Sequence, residues 1–314
     1  MNEKRIVITG ATGFIGRPLS LELARAGYEV FCLTRTPEKG GVFFQGCCEA
    51  RKWDAQSADG WGFLVDGAFA VVNLAGDNLA EGRWTTAKKR RILASRLKSG
   101  AACLEAIRTA GVKPRVLVQA SAVGFYGPRA DEELDEGSAP GSGFLAGVVR
   151  QWEDSTREAE DHGVRRVVIR SGLVLGLSGG VFPRLVTPFR FYLGGPIGGG
   201  RQWFSWIHIE DEIRAIRFLL ERSDLSGVFN LTAPAPLAEK DFARALGRSL
   251  GRPSWLPVPA WFLALLFGAK ARETLLSGQR VVPKRLVQSG FEFLYPAAAQ
   301  ALGDLLPRQP RDGS

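Results

Sequence analysis

The chain opens with short apolar runs set between longer stretches whose apolar residues recur at the three- and four-residue spacing of a helix face. Lys4–Gly10 (KRIVITG), Tyr28–Arg35 (YEVFCLTR), Phe69–Gly76 (FAVVNLAG), Pro114–Gly124 (PRVLVQASAVG), Val164–Gly176 (VRRVVIRSGLVLG) and Gly227–Pro234 (GVFNLTAP) predict strands. Between them Gly16–Gly27 predicts a helix stopped by Gly27, and further helices are expected over Ala101–Ala110 and Gln151–Asp161. Strands that alternate with helices predict an α/β fold, a Rossmann-type doubly wound parallel sheet with helices on both faces.

Past Leu173 the pattern loosens, and glycine and proline punctuate it (GGPIGGGRQ). The expected division is a Rossmann unit over 1–172, its sheet completed by later segments, and a smaller substrate lobe over 173–306. That lobe includes a C-terminal extension from about residue 255, and 307–314 (PRQPRDGS) is expected to fray.

Composition narrows the class. In 314 residues, 45% hydrophobic and 23% charged content is that of an ordinary globular protein. The N-terminus enters a strand too early for a signal peptide, and the most apolar run, Ala260–Ala269, is shorter than the ~20 residues of a membrane span. Four cysteines without a C-x-x-C pair, two of them adjacent, point to a reducing, cytoplasmic setting; two histidines make a zinc site improbable, and no metal is expected. Much of the net charge of +9 sits in Thr85–Gly100 (TTAKKRRILASRLKSG). Without interleaved aromatics this reads as a solvated helix face, so neither nucleic acid nor membrane is expected as a partner.

The chemistry starts at ITGATGFIG, where Gly10, Gly13 and Gly16 fall between a strand and a helix. Gly10 permits the tight turn, Gly13 lets the backbone approach a pyrophosphate, and Gly16 allows close helix–strand packing. Thr12, Phe14 and Ile15 belong to the same loop, and the helix N-terminus offers N–H groups to the phosphates. Where an NAD-binding chain carries an acid at the end of its second strand, this one has Thr34, Arg35 and Thr36. Arg35 can grip a 2′-phosphate bidentately, so NADP(H) is the expected cofactor.

With these motifs in place the chain resembles the atypical, extended short-chain dehydrogenases/reductases, in their epimerase-like branch with a small C-terminal extension. The likeness is carried by ITGATGFIG, NLAG, KKRRILASR, SAVGFYG, FLAGVVRQWE, GGPIGGGRQWFSWIHIEDEIRAI and GQRVVPKRL, and covers nearly the whole chain. It implies NADP(H) binding, Asp54 against the adenine, Leu74, Ala75 and Gly76 along the cofactor, and Ser121 at cofactor and substrate. It also implies a Tyr and, four residues on, a Lys that lowers its pKa. Here Phe144 and Val148 stand at those places, and no Tyr or Lys occurs from Gly127 to Gly163. Tyr126 is then the first choice as proton donor, and Glu153 a further candidate, although a helical glutamate is usually solvated. Arg201 is expected to grip an anionic substrate group, with Trp203, Trp206 and His208 as pocket walls. Two functions follow: an NADP(H)-dependent, epimerase-like oxidoreductase of a small molecule, or a weakly catalytic NADPH-binding sensor or scaffold. Neither substrate, stereochemistry nor oligomeric state is legible.

Overall fold

The computed structural model describes residues 2–44 and 46–306; the expected frayed tail, 307–314, lies outside the described residues. The strands are β1 (Asn2–Thr9), β2 (Glu29–Thr34), β3 (Glu49–Lys52), β4 (Ala68–Asn73), β5 (Val116–Ala122), β6 (Arg165–Ser171) and β7 (Gly227–Leu231). They form one parallel sheet in the order β7-β6-β5-β4-β1-β2-β3. The chain winds outward from β1 through β2 to β3, then restarts at β4 on the other side. The switch point between β1 and β4 opens a crevice at the strands' C-terminal ends.

Alternate residues of the strands serve two cores, as the pleat requires. Ile6, Ile8, Val72, Val118 and Ile169 pack beneath α1 (Gly16–Arg25) and, later in the chain, the helix Ile209–Glu221, while Val7, Val71 and Leu117 face α2 (Thr86–Thr109). Burial on both faces is why the strands read as continuous apolar runs. The stretch Thr85–Gly100 and the expected helix Ala101–Ala110 are one continuous helix, α2, capped by the Thr85 side chain accepting from Lys88 N–H. The helix expected over Gln151–Asp161 lies earlier, as α3 (Phe144–Asp154). Its end is marked by Ser155, whose hydroxyl donates to the Trp152 carbonyl, and a 3-10 turn, Arg157–Ala159, follows.

Beyond β6, Leu173–Leu175 pairs in parallel with Trp206–His208. A third core joins α4 (Phe182–Arg190), α6 (Glu239–Leu250) and the helix Ala298–Leu305 around Phe182, Trp206, Phe242 and Leu302, while α5 (Ile209–Glu221), which follows Trp206–His208, packs in the first core. After α7 (Ala260–Phe267) a short helix, Ala269–Thr274, lies against the segments that follow β4 and begin α3: Lys270 Nζ donates to the Ala80 and Gly82 carbonyls, and Glu273 accepts from Leu145 N–H at the start of α3. Among the described residues no helix is long and apolar enough to cross a membrane.

Candidate functional site

The glycine loop meets the turn after β4. Gly10 has φ +67°, and a Cβ there would lie 2.8 Å from the Leu74 carbonyl carbon; at Gly16 it would lie 2.2 Å from the Gly10 oxygen. Only glycine fits either place. The Leu74 and Ala75 N–H groups donate to Thr9 Oγ1, which donates to Asn73 Oδ1, and Asn73 Nδ2 donates to Gln119 Oε1. A buried polar chain thus fixes Gly10, Leu74, Ala75 and Gly76 across β1, β4 and β5. Gly13 is exposed, Thr12 and Ile15 are half-buried, and α1 has no acid in its first turn to repel an anion. The Phe14 ring lies in a cradle of Gly176, Gly179 and Gly180, where added Cβ atoms would approach it to 2.9–3.0 Å.

Arg35 stands exposed one residue past β2. Asp54, also exposed, accepts from the Ser57 and Gln56 N–H groups, which hold its carboxyl below the usual range. These two residues mark the β2–β3 side of the crevice.

On the β5 side a closed network appears. Ser121 Oγ donates to Glu153 Oε1 at 2.5 Å, and Arg170 grips the same carboxylate with Nε (2.8 Å) and Nη2 (2.9 Å). Glu153, the expected solvated glutamate, is 7% exposed and Arg170 4%. The Arg170 guanidinium also lies 3.4 Å from the centre of the Phe125 ring. Burial alone would lower the Arg170 pKa, but the bonds to Glu153 outweigh it and hold the guanidinium above its ordinary value. The two side chains form a buried, two-point ion pair, to which Ser121 donates.

Tyr126, the expected proton donor, belongs to the same network. It is fully buried, its hydroxyl donates to Asn230 Oδ1 (2.7 Å) and accepts from Arg170 Nη1 (3.0 Å), and burial raises its pKa. Its hydroxyl thus both donates and accepts inside the core. Asn230 carries the network to the C-terminal extension through Nδ2 and the Val282 carbonyl.

The places of the absent Tyr–Lys pair are apolar. Val148 packs with Trp84 and Ile92, and Phe144 meets Trp84 edge-on beneath Lys89 Nζ. Two of the expected pocket walls lie inside the lobe. Trp206 is fully buried in the lobe core, its indole N–H on the Ala235 carbonyl. His208 is buried and caps α5, its Nδ1 accepting from Glu210 N–H, with its ring 3.9 Å from that of Tyr295; burial lowers its pKa. Aromatic residues beside a glycine-rich turn carry no signal that separates pocket from core. Arg201 stays exposed, two residues before Trp203, whose indole N–H reaches Asp131.

The basic stretch in α2 has a local purpose. Lys88 Nζ and Arg91 Nε both donate to Asp77 Oδ2 at 2.9 Å, and Asp77 N–H donates to Ser95 Oγ. Arg96, whose pKa burial draws down to about 10, donates to the Asp77 carbonyl. These side chains clamp the residue that follows Gly76.

Residues 6–232 match the model of the NAD dependent epimerase/dehydratase family, and 258–305 match a domain of unknown function, DUF1731. Epimerase family protein Mb2239 of Mycobacterium bovis is 38% identical over 298 residues, 95% of this chain and 96% of that one. Epimerase family protein YfhF of Bacillus subtilis is 37% identical over 308 residues, 96% and 97% of the two chains. The crystal structure of human epimerase family protein SDR39U1 (isoform 2) with NADPH superposes with a TM-score of 0.86 at 34% identity, covering 96% of this chain and 99% of that one.

Proposed function

We propose, from the premise that this chain belongs to the NAD dependent epimerase/dehydratase family, that it is an NADP(H)-dependent, epimerase-like oxidoreductase of a small molecule. The residues present fit the cofactor: the Gly10–Gly16 cradle has no room for side chains, and exposed Arg35 suits a 2′-phosphate. When bound, the nicotinamide supplies or accepts a hydride.

The observation that carries the reading is the bond from Ser121 to Glu153 at the C-terminal end of β5. With its own proton held there, Ser121 accepts a hydrogen bond from a substrate hydroxyl. As that hydroxyl is oxidised, its proton passes to Ser121 Oγ while the serine proton moves to Glu153; reduction runs the same path backwards. Arg170 grips the same carboxylate and holds it in place for the transfer. This route replaces the absent Tyr–Lys pair, and exposed Arg201 offers a partner to an anionic substrate group.

The test is oxidation of NADPH by a panel of aldehydes, ketones and keto acids. Ser121→Ala should lower turnover by at least ~10²-fold while NADPH affinity stays, the low end of a general acid–base contribution. The apolar surroundings of Phe144 and Val148 favour one alternative, a sensor or scaffold. Tight NADPH binding without turnover over the whole panel would select it.

A further inference from the structure

We propose that Arg96 is a binding group for the nicotinamide-ribose half of the cofactor, so that α2 supplies the fixed cation that α3 lacks. This rests on the NADP(H) assignment above and deepens it.

Arg96 is 8% exposed, yet no carboxylate among the described residues pairs with it. Asp77, the one acid that acts on it through space, gives its carboxylate to Lys88 and Arg91. Its hydrogen bonds all leave from Nη1, to the Asp77 (3.2 Å) and Ile92 (3.1 Å) carbonyls. A guanidinium has five N–H donors and no acceptor, so Nε and Nη2 keep donors for oxygen atoms from outside the chain. A buried cation in that condition is costly unless something completes its shell.

The guanidinium faces the crevice. It lies flat on Gly76, where a Cβ would come within 3.1 Å of Cζ and 3.3 Å of both Nη atoms, and Gly76 itself is exposed. Its other face is 4.8 Å from the Trp152 ring, next in sequence to the Glu153 that holds Ser121. Arg96 therefore stands between the β4 turn and α3, whose Glu153 accepts from Ser121. Arg35 and Asp54 lie across β1, at the opposite end of the crevice. A dinucleotide with its 2′-phosphate at Arg35 and its reactive ring at Ser121 brings the second ribose and its phosphate, both rich in acceptor oxygens, past Gly76. One turn before Trp152 and Arg96 come Val148 and Ile92, in contact with each other. The charge missing at position 148 is thus restored from the facing helix.

The test compares full-length protein binding to NADPH and to adenosine 2′,5′-bisphosphate, which lacks the nicotinamide half. Arg96→Met should weaken NADPH about ten- to a hundredfold, the loss expected for hydrogen bonds to a charged group. The bisphosphate should stay within about twofold. Arg96→Lys should recover part of the loss, and Lys89→Met should leave both affinities at the wild-type level. Equal loss of both ligands would reduce Arg96 to a clamp for the Asp77 turn and overturn the proposal, as would no loss of either. If Arg96→Met does not fold, Arg96→Lys must show the same one-sided weakening. Wild-type protein that binds neither ligand would remove the NADP(H) assignment as well.

Discussion

Replacing Glu153 with alanine should be among the most destabilising single changes in the chain. The carboxylate accepts from Ser121 Oγ and from two nitrogens of Arg170, and all three residues are buried. Without it, Arg170 keeps only the Tyr126 hydroxyl and the Phe125 and Tyr126 rings for a full charge that is 4% exposed. Removing one partner of such a pair costs about 3–5 kcal/mol, a large part of the ~5–15 kcal/mol that holds a typical domain together. Arg170→Met should cost a comparable amount, because it strands the carboxylate. Changing both to methionine should cost less than either single change, since an apolar pair needs no compensation. Equilibrium urea unfolding in reducing buffer, with the m-value checked for constancy, measures all four proteins. Single changes that cost under ~1 kcal/mol, or a double mutant that loses the sum of the two, would refute the ionised buried pair and with it the anionic Glu153 on which the serine relay depends.

Arg35→Asp should turn the cofactor preference toward NAD(H), because an acid repels the 2′-phosphate and accepts from a 2′-hydroxyl; titration with both cofactors checks it, and unchanged NADP(H) affinity would count against Arg35. Val148→Lys should lower stability without creating a catalytic pair, since the ammonium would enter the apolar contact with Trp84 and Ile92; thermal unfolding and NADPH turnover measure the two effects. Glu212 is fully buried with its Oε2 unpartnered, and burial raises its pKa from 4.5 to about 8. A carboxyl raised in the folded state holds its proton longer there than when unfolded. Its stabilising contribution is therefore complete below pH ~4.5 and is lost as pH rises toward ~8. Glu212→Gln should flatten that part of the stability–pH curve, leaving the smaller slope of the same sign from Glu239, which burial raises to about 7.

The fold and the tight glycine turn after β1 were legible because they depend on local pattern. Apolar runs between helical stretches fix a parallel sheet, and the glycines of ITGATGFIG fix the backbone around them whatever surrounds it. The rest of the site depends on partners far apart in sequence. Glu153 reads as a solvated acid because a glutamate on a helix usually is one. The actual helix, Phe144–Asp154, puts it on the buried face, opposite Arg170 of β6. A signal was present in the strand itself: Arg170 follows the apolar Val167, Val168 and Ile169 of VRRVVIRSG, and Gln119 interrupts RVLVQAS in the same way. A polar side chain in a strand covered on both sides must find a buried partner. Trp206 and His208 carried no such mark, since a buried aromatic and a pocket aromatic are the same residue types in the same run. The basic residues of KKRRILASR looked like a solvated face because charge alone does not show that Asp77 stands within their reach.

The polar positions of the central strands share a further property. Thr9, Asn73, Gln119, Ser121 and Arg170 all lie at or near the C-terminal ends of their strands, and hydrogen bonds join Thr9 through Asn73 to Gln119, and Ser121 through Glu153 to Arg170. The first chain sets the turn on which a dinucleotide would lie, and the second sets the oxygen that would meet its substrate. Each is buried and joined link to link by hydrogen bonds, so each holds one arrangement rather than several. The second continues through Tyr126 and Asn230 to the Val282 carbonyl, while Thr232 donates to that of Val281. The C-terminal extension is thereby wired to the serine at the reacting end of the crevice. Substitutions that loosen the 280–282 segment should shift Ser121 before they disturb the glycine loop, because the two chains meet only through the sheet that carries them.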